Sequence, residues 1–115
     1  TFNDYETTFR VVTEAIDRHP RLRGIYMANL SVSGCAAAIE QAGKKGAIRL
    51  ICHDLNESVR QLLLRGSIDF TIPQNLRQQG YGPLILLRDV LRRKAVPDAA
   101  RFNRQIDIVC SDNLP

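Results

Sequence analysis

The 115-residue chain has the length of one domain, and with 44% apolar and 24% charged residues it sits at the globular average, which excludes disordered and fibrous classes. No apolar run approaches the roughly 18–20 residues that cross a bilayer and no secretory leader is visible, so no membrane partner is expected. The net charge of +4 comes from 16 basic residues scattered mostly over helix faces, so composition by itself does not indicate nucleic acid.

In chain order, Tyr5, Phe9, Val12 and Ile16 recur at helical spacing between an N-cap at Asn3 or Asp4 and a stop at Pro20, which predicts a first helix over 3–19. A short β-rich run, RGIYMAN, ends at Asn29 and leads into an alanine-rich helix closed by Gly43 or Gly46. A strand over Ile48–His53 follows, then a helix over Asn56–Arg65 ended by Gly66, and a strand over Ile68–Ile72. A longer helix runs from about Arg77 to Lys94, with a linker around Pro97 and a last strand over Ile106–Cys110. The one basic cluster, LRRK at Leu91–Lys94, falls where this helix ends and its dipole favours cations.

Strands alternating with helices of ten to fifteen residues predict stacked βαβ units, hence a three-layer α/β fold with a mostly parallel sheet and helices on both faces. IRLIC and IDIVC are nearly continuous apolar runs and read as central strands covered on both sides. Nothing ahead of Thr1 supplies the strand that normally feeds a first helix, so the chain is expected to begin partway through a fold.

In open α/β sheets ligands bind beyond the carboxyl ends of the strands. The residues there are Asn29, Asp54 and Gln74. One carboxylate and two carboxamides contain no nucleophile, no base near neutral pKa and no metal-type cluster, and no cofactor is expected. They suit a neutral polyhydroxylated molecule, because a carboxylate accepts two vicinal hydroxyls while each amide both accepts and donates. Taken singly, each has a structural alternative: Asn29 and Asp54 as caps of the helices that follow, and Gln74 as an exposed polar residue.

The segments RGIYMAN, LICHD, LLLRGSIDFTIPQ, QQGY and IDIVCSDNLP together resemble the C-terminal lobe of type I periplasmic-binding-protein folds, in particular the sugar-binding regions of LacI-type transcriptional regulators. The resemblance covers nearly the whole chain, and its most specific part is the spacing from His53–Asp54 to the block at 69–81. It implies that Asp54 binds hydroxyls of a small effector such as a sugar, that Gln74 contacts the same ligand at a hinge, and that Asn29 joins them. The asparagine of such proteins is usually followed by aspartate, whereas here Leu30 follows and the next glycine comes one position early. It also implies that the helix near 77–94 belongs to an N-terminal lobe, and that DNA is met only through a headpiece, both outside this chain. With that lobe missing, the helix is expected to cover its apolar face in a homodimer.

Two rival readings, an enzyme and a phospho-receiver-like signalling domain, stand behind the binding lobe. A catalytic set of Cys52, His53 and Asp54 cannot converge, because successive strand residues point to opposite faces. A phospho-receiver domain needs an acidic pair after its first strand to hold Mg²⁺, and GIYMANLS has none. A secreted solute receptor for sugars remains as the alternative to a regulator. The three cysteines, Cys35, Cys52 and Cys110, are an odd number with no close pair and point to a reducing, cytoplasmic location.

Overall fold

The structure, a computed structural model, describes residues 3–93 and 106–115 and divides into two units: Thr1–Pro73 with Ile108–Pro115, and Gln74–Asp107. In the first, α1 (Tyr5–Arg18), β1 (Gly24–Met27), α2 (Val32–Gln41), β2 (Arg49–His53), α3 (Glu57–Leu64) and β3 (Phe70–Ile72) alternate strictly. The three strands pair in the order β1-β2-β3, both pairs parallel, with Met27 level with Cys52 and His53 level with Ile72. The α/β architecture with a parallel sheet is the one the alternation predicts.

Local chemistry sets the element ends. Asp4 caps α1 by accepting from the Thr7 amide at 2.7 Å, and Asn56 caps α3 by accepting from Val59 at 2.9 Å. Gly43 and Gly66 follow α2 and α3 in the left-handed region, at φ +64° and +66°, where a Cβ would be strained. α2 presents Gly34 to α1, and a Cβ on Gly34 would lie 2.7 Å from the Tyr5 carbonyl oxygen, so the two backbones are nearly in contact.

The core joins Val12 and Ile16 of α1, Val32, Cys35 and Ile39 of α2, and Val59 and Leu63 of α3 to Met27, Leu50 and Cys52 on one face of the sheet. The apolar run in β2 is therefore buried in alternation: Leu50 and Cys52 are enclosed, while Ile51 and His53 on the other face are half-buried. Full burial on both faces, as the run reads, is not found within this unit.

A second expectation is corrected at the C-terminal end. IDIVC is not a central strand: Ile106 and Ile108 are exposed, and only Val109 pairs, through a single antiparallel bridge to Thr71 at the sheet edge. The pairing stops there because the chain turns at once into a 3₁₀ helix over Ser111–Asn113. The second unit is described through α4 (Leu76–Arg93), which carries Pro83 inside it and exposes Tyr81, Leu84, Leu87 and Leu91. Lys94 and the Pro97 linker lie outside the described residues.

Candidate functional site

β1 and β2 are parallel and in register, so Asn29, two residues past Met27, and Asp54, two past Cys52, reach the same carboxyl rim on neighbouring strands. Asn29 is half-buried and makes a tight turn into α2, its Oδ1 accepting from the Ser31 amide at 3.1 Å. The Asn3 carboxamide reaches the same turn, accepting from the Leu30 amide at 3.1 Å.

Asp54 is held differently. Its φ is +67°, in the left-handed region that aspartate tolerates better than most residues with a Cβ. The helix that follows is capped by Asn56, so Asp54 is not its cap. The residue is half-buried, and among the described residues its carboxylate has no hydrogen-bond or ion-pair partner, while its backbone is tied to β3: its N–H donates to the Ile72 carbonyl at 3.0 Å. An acid thus stands at a strand end with acceptor capacity that the fold does not consume. Gln74 is the first residue of the second unit and is exposed there.

Beside Asp54, His53 lies on the sheet face opposite Cys52 and meets Tyr26 edge-on, ring centroids 5.4 Å apart, with Nε2 hydrogen-bonded to the Tyr26 hydroxyl. This pair joins positions 27 residues apart on neighbouring strands and leaves no trace in the local sequence pattern. Cys52 is fully enclosed and burial pushes its thiol above the ordinary value, the reverse of what a nucleophile needs. Cys35 is likewise enclosed, its thiol pushed up to about 12 by burial.

Residues 1–95 match the periplasmic binding protein domain family. The chain is 30% identical over 89 residues to the D-allose-binding periplasmic protein of Escherichia coli (strain K12), covering 76% of this chain and 29% of that protein. Among solved structures it resembles a glucose-galactose binding protein from Geobacillus stearothermophilus, with TM-score 0.81 and 20% identity over 97% of this chain and 40% of that one. It also resembles an arabinose binding protein from Geobacillus stearothermophilus, with TM-score 0.78 and 23% identity over 96% and 41%. The chain therefore spans well under half the length of these relatives.

These matches correct one expectation. The cytoplasmic location read from unpaired cysteines is overturned, because the relative matched in sequence is a periplasmic protein. The physical reason lies in the core: Cys35 and Cys52 are enclosed among apolar side chains, so packing rather than compartment accounts for them. The relatives named are sugar-binding proteins rather than transcriptional regulators.

Proposed function

The chain belongs to the periplasmic binding protein domain family, and on that premise we propose that it is part of a receptor that binds a sugar outside the cytoplasm and delivers it to a transport system. The observation that carries this reading is Asp54: a half-buried residue held in a left-handed turn at the carboxyl rim, its carboxylate without a hydrogen-bond partner among the described residues. There it accepts two vicinal hydroxyls through charge-assisted hydrogen bonds, with Asn29 at the end of the neighbouring strand on the same rim. Gln74, the first residue of the second unit, is a further candidate for hydrogen bonding to the sugar in the intact protein. The exposed Tyr81, Leu84, Leu87 and Leu91 of α4 pack in that second lobe, and closure of the two lobes around the sugar is the signal that a transporter reads. The regulator reading gives way to the receptor reading, since no named relative supports a DNA partner or a homodimer.

Isothermal titration of the intact protein with D-allose, glucose, galactose and arabinose tests this reading. Binding of at least one sugar with a dissociation constant of about 10 μM or tighter is expected, and no measurable heat with any of them at millimolar concentration refutes it.

A further inference from the structure

Thr71 sits in the middle of β3 and is fully buried. Its backbone is fixed from outside the parallel sheet: its N–H donates to the Val109 carbonyl at 2.8 Å, and its own carbonyl accepts from the Val109 amide at 2.9 Å. Its hydroxyl points back towards the end of β2, with Oγ1 2.5 Å from the Asp54 carbonyl oxygen and 3.2 Å from the Cys52 carbonyl oxygen. A hydroxyl has one proton to donate, and the nearer acceptor is the Asp54 carbonyl.

Asp54 is therefore tied to β3 on both sides of its Cα, through its N–H to Ile72 and through its carbonyl to Thr71. These two bonds straddle the backbone angles that hold the residue at φ +67°, a conformation disfavoured for any side chain with a Cβ. Without the turn, β2 would run on and strand alternation would carry residue 54 to the face of Cys52, which is the core face. The turn keeps the carboxylate at the rim. We infer that Thr71 is a positioning residue for the sugar site: its hydroxyl, anchored by the Val109 bridge, clamps the Asp54 carbonyl and so aims the Asp54 carboxylate at the ligand. The inference rests on the reading of Asp54 as a sugar-binding carboxylate.

The test is titration and thermal melting of the intact protein as wild type and as Asp54→Ala, Thr71→Val, Thr71→Ala, Thr71→Ser and the double variant Asp54→Ala/Thr71→Val, using whichever of D-allose, glucose, galactose or arabinose binds the wild type. The expected result is a loss of about tenfold in affinity for folded Thr71→Val and affinity within about twofold of wild type for Thr71→Ser. Thr71→Val should add no further loss in the Asp54→Ala background, since a residue acting through Asp54 is silent once the carboxylate is gone. If Asp54→Ala weakens binding while Thr71→Val does not, or if the two losses simply add, the positioning role is overturned. Failure of both Thr71→Val and Thr71→Ala to fold also overturns it, by assigning the hydroxyl to the fold rather than to the site. If no sugar binds, or if Asp54→Ala binds as wild type, the reading of Asp54 falls and the role of Thr71 falls with it.

Discussion

Replacing Asp54 by glycine separates what the residue does for the fold from what it does for a ligand. The carboxylate makes no hydrogen bond or ion pair among the described residues, and the cap of α3 belongs to Asn56, so truncation removes no side-chain bond from the fold. What remains is the backbone at φ +67°. Alanine there costs on the order of 1 kcal/mol, because its Cβ opposes the left-handed conformation. Glycine carries no such cost and loses only unfolded-state entropy, about 0.4–1 kcal/mol. Both variants should therefore fold within about 1 kcal/mol of wild type, Asp54→Gly being the more stable or equal. The sugar loses a charged acceptor for two hydroxyls, roughly 2–4 kcal/mol, or about 30- to 1,000-fold in affinity. Calorimetric titration and thermal melts on the same samples read the two effects independently. A large drop in stability with affinity within about threefold of wild type would refute the reasoning and make Asp54 a structural residue.

Other outcomes follow from the packing. Gly34→Ala should destabilise the chain by about 1–2 kcal/mol in urea titrations despite better helix propensity, because the new Cβ would meet the Tyr5 carbonyl at 2.7 Å; a gain in stability would show that α1 and α2 separate easily. Leu63→Ala, at a fully buried position, should cost about 2–5 kcal/mol, whereas Leu64→Ala beside it, on the exposed side of α3, should cost under about 0.5 kcal/mol; equal effects would contradict the assigned face. In the native protein Cys110, which is half-buried, should react with a thiol reagent well before Cys35 and Cys52. Because burial raises the Cys35 thiol to about 12 from an ordinary 9.0, the folded state holds a proton that the unfolded state releases across that interval, so stability should fall as pH rises from about 9 towards 12. Cys35→Ala should flatten this alkaline limb, and an unchanged slope would show that Cys35 does not cause it.

Much of this fold is written locally. Asp4, Asn56, Gly43 and Gly66 mark helix ends because a cap needs only the next three residues and a left-handed turn only its own backbone. Asn29 and Asp54 are legible as site candidates for the same reason, since the carboxyl end of a strand can be located wherever the strand can. What the sequence could not decide depends on partners far along the chain. The apolar run of β2 does not reveal that Leu50 and Cys52 face the core while Ile51 and His53 do not, because that is set by the helices packed on one side of the sheet. IDIVC reads as a central strand, yet only Val109 pairs, because strand pairing is a property of two segments and not of one. Asp54 itself was visible as an acid at a strand end, but what holds it there was not: the Thr71 hydroxyl comes from 17 residues away and the Val109 bridge behind it from the far end of the chain. A hydrogen bond between residues distant in sequence carries no periodicity and no composition, so it exists only once the sheet has brought β2 and β3 side by side.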